Sequence, residues 1–207
     1  MELLFAASEV FPFSKVGGLG DVCGALPKAL RAFGHRVVVV SPLYRGIDPA
    51  RHSLARRLSP LRVDLGGEAI DLSVFDGKLP SGVEIVLLAH EGLYGRDGIY
   101  GNAQGDFADN PARFAVLSRA ALEVAARRER PPQILHVHDW PTALVPFYLR
   151  QDWADDERLG GARTVLTLHN AAFQGLAPAA ERERLGIDPE LFTPEGVEFH
   201  GQLSLLK

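Results

Sequence analysis

Leu3 to Ala7 is a short unbroken apolar run, the pattern of a strand buried on both faces in a parallel sheet. A loop carrying Gly17, Gly18 and Gly20 follows. Val22, Ala25, Leu26, Ala29, Leu30 and Phe33 then recur at spacings of three and four, which predicts one apolar helix face. Gly34 stands where a C′ glycine ends such a helix. Pro27 inside the pattern predicts either a late helix start or a kink. Val37 to Val40 is the next buried strand, so strand, glycine loop, helix and strand compose a βαβ unit.

The pattern changes between Leu61 and Ala89. Gly66-Gly67 and Asp76-Gly77 punctuate short apolar runs and predict hairpins ahead of a buried strand at Ile85–Leu88. Residues 90–109 form a long glycine-rich loop, a class of segment that often carries function. Asn110-Pro111 reads as an N-cap followed by a first-turn proline. Phe114, Leu117, Ala121 and Val124 make the stripe of the helix behind it, which ends near Arg127 and Arg128. A strand at Ile134–Val137, a helix at Thr142–Arg150 and a strand at Thr164–Leu168 complete the alternation. One α/β domain over residues 1–207 is expected, a doubly wound, Rossmann-like parallel sheet with helices on both faces. Ligands on such sheets bind at the carboxyl ends of the strands. Lys15–Asp21, His138-Asp139 and His169-Asn170 each follow a predicted strand.

Composition narrows the partners. The chain has 207 residues, 46% hydrophobic and 23% charged, in the range of a globular domain able to enclose a core. A net charge of −4 argues against nucleic acid or a membrane surface as partner, and no apolar run reaches bilayer-spanning length. Cys23 is the single cysteine, so no disulfide can form within the chain, and a cytoplasmic setting is expected.

The first chemical signal is Lys15-Val-Gly-Gly-Leu-Gly-Asp21. Glycines admit close approach to the backbone, and the amides opening the next helix favour an anion. Lys15 adds a compact positive charge, in a chain with four lysines in all. Phosphate binding is one reading; a tight turn with an exposed lysine is the other. A P-loop is excluded, since no Gly-Lys-Ser/Thr occurs. A dinucleotide fingerprint fits poorly: Cys23 occupies the third glycine position, and the second strand runs into Ser41-Pro42 without the expected acidic residue.

The second signal is His136-Val-His138-Asp-Trp140. On a strand both histidines face one side, so a metal site must be weighed. The binuclear pattern H-x-H-x-D-H is not met, because Asp139 comes one residue early and Pro141 replaces the last histidine. No metal and no cofactor are expected. His138 at a strand end suits a cleft lining, whereas a histidine satisfied within the core describes His136 better. The third signal, Thr167-Leu-His169-Asn170 with Gln174-Gly175, suits hydroxyl recognition, and a turn initiated by Asn170 explains it equally.

Taken in order, K-V-G-G-L-G-D-V with L-P-K-A-L, L-Y-G-R-D-G-I-Y-G with its D-N, H-V-H-D-W-P-T-A-L, and T-L-H-N-A-A-F-Q-G resemble the bacterial glycogen and plant starch synthases, as does the final F-H-G-Q-L-S-L-L-K. The resemblance implies one half of a two-domain GT-B enzyme. That enzyme transfers glucose, with retention, from ADP-glucose or UDP-glucose to the non-reducing end of an α-1,4-glucan. It implies that Lys15, with Gly17 and Gly18, approaches the nucleotide phosphates, that Asp21 lies near the cleft, and that His138 contacts the donor glucose as the catalytic group. Glu9, Tyr94, Asp139, His169 and Asn170 fall in its cleft-lining motifs. Val16 and Pro141 depart from the family's frequent threonine and histidine.

The resemblance further implies a C-terminal, nucleotide-binding domain that has no counterpart before Lys207, so the 207-residue chain is expected to bind the donor poorly and to be inactive alone. No carboxylate pair is placed as in a retaining glycosidase. A glucan-binding module without catalysis is the main alternative. A metal-dependent hydrolase built on His136 and His138 is the other.

Overall fold

The computed structural model describes residues 1–207. Five parallel strands form the centre of the main sheet, in the order β10 (Arg163–Thr167), β9 (Ile134–His138), β1 (Glu2–Ala6), β2 (Arg36–Pro42) and β6 (Glu84–Ala89). An antiparallel flank follows: β5 (Glu68–Lys78) pairs with β6, and the short β3 (Ala55–Arg56) and β4 (Leu61–Leu65) pair with β5. The fold is thus α/β with a mostly parallel sheet, as the alternation of patterns predicts.

Period-two alternation along the strands divides the core into two layers. Leu4, Ala6, Val38, Val40, Val86 and Leu88 face α3 (Asn110–Ala126) and α4 (Leu144–Asp152). Leu3, Phe5, Val37, Val39, Ile85 and Leu87 face α1 (Gly18–Ala32), which contributes Leu19 and Cys23. Both faces are covered, which is why these strands read as continuous apolar runs.

Helix α1 starts at Gly18, before the apolar stripe begins, and Pro27 lies inside it. Proline has no N–H, so the Cys23 carbonyl lacks its usual intrahelical donor. The helix ends as expected. Gly34 has φ +88°, its N–H donates to Arg31 O and that of His35 to Leu30 O, the double bond of a Schellman cap.

Three local expectations change. Gly66-Gly67, both at positive φ, do turn the β4–β5 hairpin, but Asp76-Gly77 continues inside β5. A side chain at Gly77 would meet Leu54 Cδ2 at 2.8 Å, so glycine serves packing there and the turn falls at Gly82 instead. The cap of α3 is Asp109; Asn110 sends its side chain to the Tyr100 carbonyl at 2.7 Å. The 90–109 segment is not a bare loop: it holds the single-turn helix α2 (Glu91–Tyr94) and a small hairpin of β7 (Gly101–Asn102) and β8 (Gly105–Asp106). After β10 the chain forms β11 (Leu176–Ala177), α5 (Glu181–Arg184), β12 (Glu198–Phe199) and β13 (Gln202–Ser204), with the three strands in a small antiparallel sheet. No helix is long and apolar enough to cross a membrane.

Candidate functional site

Strands β1, β9 and β10 are neighbours, and their carboxyl ends open onto one cavity of about 570 Å³. The chain builds outward from β1 to β2 on one side and from β9 to β10 on the other. This is the crossover point at which α/β sheets bind ligands. Glu9, Gly17 and Gly18 line the cavity from the first loop, Asp139 and Trp140 from the second, His169 and Asn170 from the third.

The glycine loop is held from inside. Glu9 is 3% exposed, and its Oε2 accepts the N–H of Val16 at 2.6 Å and of Gly17 at 3.1 Å. Its Oε1 accepts from Tyr100 Oη at 2.6 Å, and Tyr100 Oη lies 2.8 Å from Ser8 Oγ. Beyond Gly17 the helix has no side-chain cap, so the amides of its first turn are open. A Cβ at Gly17 or Gly18 would meet nothing within 4 Å, whereas one at Gly20 would touch Ser14 O and Lys15 Cβ at 3.1 Å and one at Gly24 would lie 2.9 Å from Phe11 O. Gly20 and Gly24 therefore let the loop lie on the helix. Gly17 and Gly18 leave room on the cavity side.

Lys15 and Asp21 form an ion pair at 2.7 Å, with side chains 45% and 56% exposed. They belong to the exposed surface and not to the cavity lining. A pair this exposed contributes at most about 1 kcal/mol, so Lys15 can leave Asp21 for another anion at little cost.

The histidines are arranged differently from the expectation. His138 is fully buried and His136 is half-buried, the reverse of their predicted places. The two rings stack at 4.4 Å, as side chains on one strand face must, and His136 Nε2 sits 2.7 Å from Thr167 Oγ1. His138 Nδ1 lies 3.1 Å from Nε2 of His169, and it is His169 that lines the cavity. Burial, reinforced by His136 and His169, pushes the His138 imidazole down to about 3, so it is neutral. Burial also lowers His136. No group of three His, Cys, Asp or Glu side chains converges as a metal site would require.

Asp139 has φ +54° and ψ −174°, a region that is essentially glycine's own and costs roughly 1–3 kcal/mol. Its Oδ1 accepts the His169 N–H at 2.7 Å and its own N–H donates to Thr167 O, tying the ends of β9 and β10 together. His169 is thus fixed at its backbone by Asp139 and at its ring by His138. Asn170 accepts the Ala172 N–H at 3.0 Å in a turn while also lining the cavity, so both readings of that residue describe it.

Tyr94 does not reach the cavity. It is fully buried, donates to Arg113 O at 2.8 Å and meets Tyr44 edge-on at 6.2 Å, because α2 turns it into the core. Burial raises its hydroxyl well above the usual range. Tyr100, six residues on in the same L-Y-G-R-D-G-I-Y-G stretch, lines the cavity instead. Spacing alone could not choose between the two tyrosines. Trp140 and Phe173 also escaped the sequence reading; with Asp106 they wall both this cavity and an adjoining one of about 490 Å³. Gly175, at φ +62°, makes room for the Trp140 indole, which a Cβ would meet at 2.8 Å.

Known proteins resemble this chain along its whole length. The glycogen synthase of Anaeromyxobacter sp. (strain Fw109-5) is 48% identical over 210 residues, covering 100% of this chain and 42% of that protein. Glycogen synthase 1 of Geobacter sulfurreducens is 46% identical over 209 residues, again covering 100% and 42%. Among solved structures, the catalytic domain of starch synthase IV from Arabidopsis thaliana, bound to ADP and acarbose, superposes with a TM-score of 0.85 at 30% identity, over 99% of this chain and 42% of that one. The chain therefore spans less than half the length of these relatives. The family profile described as the starch synthase catalytic domain matches from residue 2 to residue 207, and the chain belongs to that family.

Proposed function

We propose that this domain is the N-terminal, acceptor-side half of a retaining glucosyltransferase that extends an α-1,4-glucan at its non-reducing end from ADP-glucose or UDP-glucose. The observation that carries this reading is the pair Gly17 and Gly18. Neither has a positive φ or a packing neighbour that demands glycine, yet both stand at an uncapped helix start on the cavity wall. Glycine there has a purpose if a ligand's phosphate comes against the backbone. The relatives' printed name, glycogen synthase, and the ADP and acarbose in the starch synthase IV structure agree with such a ligand.

In this reading Lys15 swings from Asp21 to the diphosphate, and the open α1 amides share its charge as the glycosidic bond to phosphate breaks. His169, with Asn170 beside it, meets the sugar hydroxyls. His138, assigned the donor contact from the family motif, acts through His169, since it lies behind that ring. Asp139 holds the His169 backbone. The leaving phosphate helps to deprotonate the acceptor hydroxyl. The other wall of the cleft, and recognition of the base, belong to a C-terminal domain.

The test is chain extension of glycogen by radiolabelled ADP-glucose, with this chain alone and with a separately expressed C-terminal half of a synthase. Transfer in the mixture alone is expected. Absence of transfer with both halves folded, together with retained glucan affinity, would leave a carbohydrate-binding domain as the better account.

A further inference from the structure

The Glu9 carboxylate is buried, and the cation nearest in sequence, Lys15, pairs with Asp21 instead. A buried carboxylate without a cation is costly unless its lone pairs are filled, and here three donors fill them: two loop amides and the Tyr100 hydroxyl. The carboxylate thus sits in the inner half of the anion-attracting loop, where successive backbone N–H groups make a concave positive seat.

We propose that Glu9 is a positioning residue that acts as a resident acceptor in the glycine loop, standing where a ligand oxygen would otherwise sit. It occupies the Val16 and Gly17 amides permanently, so a ligand's phosphate is restricted to the amides from Gly18 onward. Through Tyr100 it also ties the 95–109 segment to the glycine loop. That segment is braced in turn: Asn110 Nδ2 donates to Tyr100 O at 2.7 Å, and Arg113 donates to Ile99 O at 2.9 Å. A change of order in either loop is therefore passed to the other through a single carboxylate. The part of this proposal that concerns phosphate rests on the glucosyltransferase reading; the seat itself does not.

The test uses amide hydrogen exchange and two-dimensional NMR on the 207-residue chain, with ADP as probe. In the unmodified protein, Val16 and Gly17 should be protected, and ADP should shift Gly18 and Leu19 more than either. E9A should speed exchange at Val16 and Gly17 by at least about ten-fold while the strands keep their protection. E9Q should restore most of it, since the amide oxygen can accept both N–H groups while Tyr100 turns to donate to Ser8. Y100F should speed exchange at the same two amides by a smaller factor, about three-fold, and decides the matter alone if E9A does not fold. Unchanged exchange in E9A or, failing that, in Y100F overturns the proposal. So does ADP shifting Val16 and Gly17 as strongly as Gly18 and Leu19. ADP shifting none of the four, with the exchange pattern as expected, upholds the seat and counts against the phosphate reading.

Discussion

His138 Nδ1 lies 3.1 Å from His169 Nε2, and of this pair only His169 reaches the cavity. His138 Nε2 is buried without a partner. An orphaned N–H is rarer in proteins than an orphaned acceptor, so the His138 proton belongs on Nδ1, donated to His169. His169 then carries its own proton on Nδ1. Nitrogen-15 shifts of the two imidazoles should show a protonated Nδ1 and a bare Nε2 in each ring; the opposite tautomer in His138 would refute the assignment.

The same burial has a thermodynamic consequence. His138 stays neutral in the fold down to about pH 3, whereas in the unfolded chain it takes a proton below its ordinary value of 6.5. The unfolded state therefore binds the extra proton, so the His138 contribution is complete above pH 6.5 and is lost progressively as pH falls toward 3. One such proton corresponds to about 1.4 kcal/mol per pH unit. Urea unfolding at pH 6.5 and at pH 5 should give a steeper loss in the unmodified chain than in H138N, where asparagine can still donate to His169. Equal slopes would show that His138 does not couple to folding.

Tyr94 and Tyr100 should separate cleanly. Y94F removes the hydroxyl bonded to Arg113 O deep in the core, and should cost about 1 kcal/mol in urea unfolding. It should leave the ADP-induced shifts around Gly18 unaltered. Y100F should alter those shifts and cost more, about 1.5–3 kcal/mol, because it takes a donor from the buried Glu9 carboxylate. An effect of Y94F on ligand response would return Tyr94 to the functional list.

The contrast explains what a linear reading could and could not reach. Strand ends were legible because runs buried on both faces, such as Leu3–Ala7, must stop where polar residues begin; Ser8-Glu9, His138-Asp139 and His169-Asn170 stand at such ends, and Lys15–Asp21 lies in the loop after the first. Which of two tyrosines or three histidines turns toward the cavity depends on packing across the sheet. His138 and His136 stand on one strand face, so periodicity placed them together. Their order of burial depends on neighbours from elsewhere, such as Phe5 on β1 and His169 in the turn after β10. Gly77 misled for a similar reason: it looks like a turn residue, but its contact with Leu54 is a tertiary one.

Glycine substitutions should separate packing positions in the glycine loop from those proposed to meet a ligand. Gly18 is the first helical residue and has open space around it. G18A should therefore preserve stability or raise it by up to about 1 kcal/mol, while weakening the ADP response. G24A places a methyl group 2.9 Å from Phe11 O, and should cost about 1–3 kcal/mol whatever its effect on ligand. Thermal unfolding with ADP titration checks both. A G18A chain that keeps its ADP response would remove the phosphate argument from that position.

Arg113 offers the strongest stability test. It is fully buried in α3 and pairs with no carboxylate; its guanidinium donates to Leu93 O at 2.6 Å, Ile99 O at 2.9 Å and Asn110 Oδ1 at 2.6 Å. The Phe107 ring lies 4.9 Å from the guanidinium carbon, and burial lowers the group's pKa. R113M keeps much of the volume but leaves two buried acceptors and one partly buried acceptor without this donor. The expected loss is about 3 kcal/mol in urea unfolding, with faster exchange concentrated in residues 93–109. Tyr100 is carried by that segment, so its bond to Glu9 should weaken in the same variant, seen as faster exchange at Val16 and Gly17. R113K retains the charge and one or two of the donated bonds, and should fall between the two. Stability of R113M within about 1 kcal/mol of the unmodified chain would mean that the segment is held by its apolar contacts, Phe107 and Tyr100 above all, and that the buried charge is dispensable.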